Sequence, residues 1–367
     1  MIDTDLAAPT SATPLAALLE SAASPHKLAA YRGVLTPLEL DARAKEIEAL
    51  ASSSAIHDLG WLKRVAVRGE DRLRWLSGMV TNMVNELPVQ GGAWNLVLNA
   101  QGRIQGDLYV WRDGDSVELE IAADQYEKLI THLERFIIMD DVELATLDGE
   151  TALGLTGPLA DEVLGRLSLP AVAEPLTGVR VEWNGLDLKI VRGYGALLPH
   201  YELWVPVAGL SKLWKYVRAA GAHPIGSGAV EAFRIAEGIP AYGIDIAERD
   251  LPQETSQERA LHFSKGCYLG QEIVERIHSR GNVHRHLRQL ELTGPVPAAG
   301  TELTLDGAVA GSITSAAELD LAGAKRIFAL GMIRGEFEAR KQPLCYAVEA
   351  GVGTAKILDG APDLGVK

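Results

Sequence analysis

Cysteine is scarce in this chain: Cys267 and Cys345 are the only two among 367 residues. That excludes a disulfide-built secreted scaffold and leads us to expect two free thiols in a reducing compartment. Basic residues are also short. The 35 Lys and Arg stand against 49 Asp and Glu, a formal charge of −14, which argues against a general nucleic-acid binder while leaving room for a local basic pocket. No apolar run is long enough to cross a bilayer. The start, Met1-Ile2-Asp3-Thr4-Asp5, is acidic and lacks the basic flank and apolar centre of a secretory signal. The expectation is a cytoplasmic protein with no membrane partner and no direct nucleic-acid partner.

Several chemical signatures are missing as well. The nine histidines show no paired ligand spacing, so no metal site is expected. His278, His284 and His286 are close to Cys267 in sequence and could join it on a metal, but a solvated basic loop is the favoured reading. Gly226-Ser227-Gly228 lacks the Lys-Ser/Thr of a phosphate loop. No Gly-x-Ser-x-Gly elbow is present, which leaves a serine hydrolase without support.

What is present is enough apolar sequence, 47% of residues, for two or three domains with real cores. Residues 1–25 are rich in Ala, Ser, Thr and Pro, and we expect much of this stretch to be mobile. Pro37 reads as the first turn of a helix over 37–50. From Ile56 onward strands and helices alternate. Residues 65–67 read as a strand and 71–84 as a helix; 94–99, 104–111 and 117–121 read as strands. Asp124 and Glu127 have the spacing of a capping box for the next helix, with Leu129 and Leu133 on its inner stripe. The pattern then recurs: a strand ending at Gly157 mirrors the strand ending at Gly69, an offset of about 90 residues. Further strands at 179–183, 186–192 and 201–205 precede a helix closed by Gly221. Two related α+β subdomains meeting along a ligand-sized seam explain this repetition. After His286 the texture changes to short strands punctuated by Gly294, Gly300, Gly307 and Gly335, the pattern of a small β-barrel. Cys345 falls in an apolar strand and is expected in the barrel core.

The most distinctive stretch is 264–286, which contains Lys265-Gly266-Cys267-Tyr268-Leu269-Gly270-Gln271-Glu272. A lone cysteine is ordinarily a small core residue. Here a lysine, two glycines and a following helix surround it, and such features expose a thiol or favour its thiolate. Residues 271–279 fit an amphipathic helix with Ile273, Val274 and Ile277 on one face.

This octapeptide resembles the signature of the YgfZ-type folate-binding proteins, relatives of the glycine cleavage T-protein (aminomethyltransferase). The basic run Arg276, Arg280, Gly281, Arg285 and His286 is similar to the same family. The resemblance implies an α+β fold of two related T-protein-like subdomains around a folate cavity, spanning 51–150 and 151–285, with an N-terminal segment 1–50 and a C-terminal β-barrel over 286–367. It implies tetrahydrofolate as the small-molecule partner, Cys267 with Lys265 at the active site, and a role in iron–sulfur assembly or repair beside client or assembly proteins, with tRNA modification among the associated processes. Tyr268, Gln271 and Glu272 belong to the motif, and Arg234 and Arg276 are candidates for the folate glutamate tail because a guanidinium matches a carboxylate.

Two further segments are similar to the family with a difference. Arg234-Ile235-Ala236-Glu237-Gly238-Ile239-Pro240 resembles a segment whose glutamate holds the pterin, but Ala236 occupies that position and Glu237 follows it, about 100° further round a helix. Residues 99–108 resemble a T-protein segment that ends in two aspartates. Here Gly106 precedes Asp107, so one carboxylate is lost, which argues against aminomethyl transfer and leaves Asp107 as a ligand-binding or strand-capping residue. A true aminomethyltransferase and a non-catalytic folate-binding scaffold are the rival readings.

Overall fold

The structure, a computed structural model, describes residues 11–21, 26–281, 283–321 and 323–364, without the Arg280 side chain. The acidic start 1–5, most of the Ala/Ser/Thr/Pro-rich stretch and the Arg280 side chain of the basic run therefore lie outside the described residues.

Two sheets and a barrel make up the fold. The first sheet runs, edge to edge, Gly92–Leu98, Ile104–Asp113, Ser116–Ala122, Leu62–Arg68 and Glu143–Thr146. The second runs Thr177–Trp183, Leu186–Arg192, His200–Pro206, Glu150–Thr156, Ala55–Asp58 and His223–Pro224. In each half a strand leads to a helix, then a three-strand meander, then a second helix and an edge strand. The orders match strand for strand, except that Ala55–Asp58 enters the second sheet between its last two members. The duplication expected from the glycine spacing is thus a duplication of topology. Gly69 and Gly157 take φ of +100° and +132° at equivalent turns, and a Cβ at either would meet backbone, the Asp141 carbonyl oxygen or the Ser53 carbonyl oxygen.

Residues 285–357 close into a six-stranded antiparallel barrel in the order Arg285–Thr293, Ala324–Arg334, Ala308–Leu321, Glu302–Leu305, Leu344–Val348 and Gly351–Ile357, the last pairing with the first. Closure leaves no unpaired edge. Leu290, Ile313, Leu344 and Tyr346 fill its interior. Because side chains alternate along a strand, Cys345, between Leu344 and Tyr346, points outward and is exposed. The expected burial of Cys345 is therefore corrected; the apolar letters of its strand hid their parity.

Three helix boundaries differ from the sequence expectation, each for a tertiary reason. Pro37 ends the strand Val34–Pro37, and the helix is Arg43–Ser52. Residues 38–42 are a loop because the Glu46 carboxylate accepts the N–H groups of Leu40, Asp41 and Gly226 at 2.7, 3.1 and 3.0 Å. The helix expected over 71–84 is Arg72–Met79 and stops where the buried Thr81 hydroxyl donates to the Ala260 carbonyl and accepts from the Leu96 N–H. Asp124 makes no capping box: Gln125 precedes the helix Tyr126–Glu134, and Asp124 pairs with Arg32 instead. Residues 28–52 are integral to the core: Ile47 and Leu50 pack with Phe233 and Phe328, against the helix Ser227–Ala236 and the barrel.

Candidate functional site

The two sheets enclose a cavity of about 210 Å³. Strand alternation decides which residues of Ile104–Asp113 face it. Asp107, Tyr109 and Trp111 share the cavity side, whereas Gly106 points at the helix Tyr126–Glu134, where a Cβ would meet Gln125 Oε1 and Leu129 Cδ2 at 2.7 Å. A carboxylate at 106 could not reach the cavity. Asp107 keeps a fixed orientation: Trp94 Nε1 donates to its Oδ2 and Gln125 Nε2 to its Oδ1, both at 2.8 Å.

One part of the cavity wall is acidic. Glu120 comes from the first sheet and Glu202 from the second. Trp111 Nε1 donates to Glu120 Oε2 at 3.0 Å, and Trp204 Nε1 donates to Glu202 Oε2 at 2.8 Å. Burial, followed by the charge and hydrogen bond of Glu202, pushes the Glu120 carboxyl well above the ordinary range. Arg64 opposes that rise. Its guanidinium is buried beside Glu118, lies 3.6 Å from Glu150 and sits over the Trp204 ring at 4.7 Å. Lys189, 3.2 Å from Asp113 and 3.5 Å from Glu118, is pulled down to about 8 by burial. The seam between the subdomains is therefore charged behind the cavity. Another part of the wall carries His57 and His200, stacked at 5.9 Å and joined through Thr156 Oγ1 at 3.0 and 2.8 Å. Burial lowers both imidazoles, His57 down to about 3.

Of the residues singled out in the sequence, the cavity brings together Asp107, Arg234 and Glu237. Glu237 caps the helix Ser227–Ala236, its N–H still donating to the Phe233 carbonyl at 2.8 Å, and it lines the cavity although Ala236 is packed into the core. Its Oε1 accepts the N–H groups of Leu197 and Leu198 at 3.0 and 3.3 Å, and burial pushes the carboxyl up to about 7. Arg234 is in place but occupied. Its guanidinium donates to both Glu231 oxygens, to the Ile239 carbonyl and to Asp245 Oδ2, the last at 2.6 Å. Burial would lower it, but Asp245 and Glu231 outweigh burial and hold it above its ordinary value. The expectation that Arg234 is free for a glutamate tail is corrected: two carboxylates and a carbonyl already take four of its five N–H groups.

The cysteine motif lies elsewhere. None of Lys265, Cys267, Tyr268, Gln271, Glu272 and Arg276 lines the cavity. Lys265 is buried and donates to the carbonyls of Ser77, Val80 and Asn82 at 2.8, 2.6 and 2.7 Å, in the last turn of the helix Arg72–Met79 and just after it. Burial pulls its ammonium down to about 8, yet three carbonyls within hydrogen-bond reach are filled only by the charged, three-proton form. Tyr268 is buried among Trp94, Leu98 and Val274, and burial raises its hydroxyl to about 12. Gly270, at φ +82°, lets the turn touch the hairpin 99–103, and the helix Gln271–Arg280 follows with Val274 buried and Glu272 and Arg276 exposed. Gln271 Oε1 faces the Tyr268 N–H at 3.4 Å. Of the two glycines flanking Cys267, only Gly270 needs positive φ. Cys267 itself is exposed. Nearby, His278 stacks on Phe263 at 3.8 Å, while His286 turns away to Glu338 at 2.8 Å. Among the described residues no group of three or more His, Cys, Asp or Glu is placed to hold a metal ion.

The sequence reading missed Glu120, Glu202, His57, His200 and Arg259. Glu120 and Glu202 occupy strand positions where an alternating pattern predicts a core side chain or a solvent-facing one, and only a polar cavity reconciles the two. Their signal was weak but present: charged residues inside otherwise apolar strands.

A duplicated α+β unit carrying a C-terminal barrel, with a polar and aromatic cavity between its sheets, defines an aminomethyltransferase-like architecture. The chain belongs to the GCVT N-terminal domain family, whose model matches residues 27–265. It is 28% identical over 262 residues to an aminomethyltransferase of Chlorobium chlorochromatii, covering 68% of this chain and 71% of that one. It is 25% identical over 287 residues to a putative chloroplastic transferase of Arabidopsis thaliana, covering 77% of this chain and 66% of that protein's length. The crystal structure of the glycine cleavage system aminomethyltransferase T from Bartonella henselae superposes with a TM-score of 0.84 over 95% of this chain and 96% of that one, at 20% identity, a likeness of fold alone. Among the described residues no helix is long and apolar enough to cross a membrane.

Proposed function

We propose that this protein binds tetrahydrofolate in the cavity between its two sheets and acts in iron–sulfur assembly or repair, as its resemblance to the YgfZ-type proteins implies. The observation that carries the folate reading is the carboxyl pair Glu120 and Glu202, each fixed by an indole N–H on the cavity wall. A carboxylate accepts two parallel hydrogen bonds from an amino group and a neighbouring ring N–H, which is the edge a pterin presents. Trp111 and Tyr109, stacked at 6.0 Å, supply a flat aromatic wall for the ring. Asp107 would sit beside the bound ligand with its orientation fixed by Trp94 and Gln125. The chain's residues thus fit a planar, N–H-bearing head group, which they would bind, orient and shield from water.

The iron–sulfur part rests on residues 265–272. Because Cys267 faces solvent and is not a cavity residue, we place its action at the surface, toward a client protein, with Lys265 holding the loop that presents it. Calorimetric titration with tetrahydrofolate tests the first part, and Glu202→Gln is expected to weaken binding by roughly tenfold or more. Absence of heat and of competition at near-millimolar ligand overturns it. Complementation by Cys267→Ala in cells lacking the protein, read as the activity of an iron–sulfur enzyme, tests the second.

Aminomethyl transfer is the second reading. Asp107 faces the cavity, and the missing carboxylate at Gly106 would have faced a helix, so that absence no longer counts against transfer. Turnover with a lipoyl-bound aminomethyl donor at the rate of a genuine T-protein would make this reading the first.

A further inference from the structure

Three guanidinium groups line the cavity, those of Arg32, Arg234 and Arg259. Arg234 already makes four hydrogen bonds, and Arg32 Nη1 is held by the Tyr242 carbonyl at 3.1 Å and Asp124 at 3.4 Å. Arg259 is different. Its Nε donates to Gln257 Oε1 at 3.2 Å and its side chain hydrogen-bonds Tyr109, but Nη1, although buried, has no hydrogen-bond partner among the described residues. An unpaired buried donor of this kind is costly and calls for an explanation.

The surroundings of Arg259 supply one. Its guanidinium lies over the Trp94 ring at 4.3 Å and over the Tyr194 ring at 3.8 Å. Contact with two rings fixes the plane of the fork and leaves its N–H edge to do the recognising. The backbone is equally fixed: the carbonyls of Arg259 and Ala260 accept from Asn82 Nδ2 at 2.8 Å and Thr81 Oγ1 at 2.6 Å. Arg259 also stands at a junction. Together with Tyr194, Glu237 and Ile239 it lines both the main cavity and a second one of about 420 Å³, which extends past Gly238 and Ser256 to the barrel at Gln289 and Leu358. In that second cavity Arg288 is already held by Glu338 at 2.6 Å and Ser256 at 3.0 Å.

Resting on the folate reading above, we propose that Arg259 is the carboxylate clamp of this site. The ligand has an aromatic head in the main cavity and an acidic tail that leaves through the second one, with its first carboxylate on Arg259 Nη1. Arg259 therefore takes the role that the sequence assigned to Arg234 and Arg276, and it sets the preference for head groups that carry such a tail.

The test is a comparison of two ligands on three proteins. Tetrahydrofolate carries the tail, and 6-methyltetrahydropterin has the same ring without it. Wild type is expected to bind tetrahydrofolate more tightly, by roughly 10- to 100-fold, the range of one charge-assisted contact. Arg259→Gln should remove that advantage by weakening tetrahydrofolate alone and leaving 6-methyltetrahydropterin unchanged. Arg259→Lys, which keeps the charge and loses the planar fork, should fall between them. If the glutamine variant does not fold, the lysine variant must still weaken tetrahydrofolate selectively, or the proposal falls. Equal losses for both ligands would make Arg259 a structural residue, and unchanged tetrahydrofolate affinity would remove the clamp while the folate reading stood. If wild type binds neither ligand, the folate reading fails and the clamp with it.

Discussion

The Glu120 and Glu202 carboxyls neighbour each other across the boundary between the two subdomains, one residue from each sheet, at the wall of the cavity. Burial, then the neighbouring Glu202, raises the Glu120 carboxyl well above its ordinary range. The duplicated halves therefore meet at the site through the ionisation of Glu120.

That pairing predicts a pH dependence. Burial and then Glu202 raise the folded-state Glu120 above its ordinary 4.5. The folded state then holds more protons than the unfolded state above pH 4.5, so this pair's contribution to stability falls as pH rises through that window. Glu120→Gln keeps a neutral group there and should flatten the decline. Chemical denaturation of both proteins at pH 5 and pH 8 measures it, and an unchanged difference between the two pH values would contradict the raised Glu120 carboxyl.

Lys265 predicts a stability effect. Lys265→Met leaves three carbonyls at the C-terminal end of the helix Arg72–Met79 and just after it without their donor, which should cost about 2–4 kcal/mol. The loss should be visible as a lower denaturation midpoint with an unchanged slope. A neutral result would show that the loop holds itself without the ammonium.

Gly106→Asp separates geometry from family pattern. The new side chain would be forced between Gln125 and Leu129, which should destabilise the fold by about 1–3 kcal/mol. No aminomethyl transfer should appear with it, because that face is closed to the cavity. A gain in turnover would reverse the assignment of Asp107 as the cavity-facing acid.

Both thiols should react in the folded protein, because both are exposed. Iodoacetamide is expected to label Cys267 and Cys345, with Cys345→Ala leaving one site. Only Cys267→Ala should depress the iron–sulfur enzyme readout. Protection of Cys345 in the native state would mean that its strand presents the opposite face.

The sequence by itself determined the elements whose causes are local. Periodicity marked the meander strands and the helix Gln271–Arg280, and the turn residues Gly69 and Gly157 marked the duplication, because strand alternation, helical spacing and positive φ are properties of neighbouring residues. Dense turn glycines after His286 likewise marked the barrel. Tertiary structure decided which side chains remain available for chemistry. Lys265 is spent on carbonyls 183 to 188 residues earlier in the chain, Arg234 on Asp245 and Glu231, and Cys345 faces out of a strand whose apolar letters concealed its parity. Glu120 and Glu202 meet only when two sheets close on each other, and Arg259 keeps a free Nη1 only because Trp94 and Tyr194 enclose it. Whether a guanidinium, ammonium or carboxyl can bind a ligand depends on what else has already claimed its protons. Those claimants lie far away in sequence, brought near by folding alone.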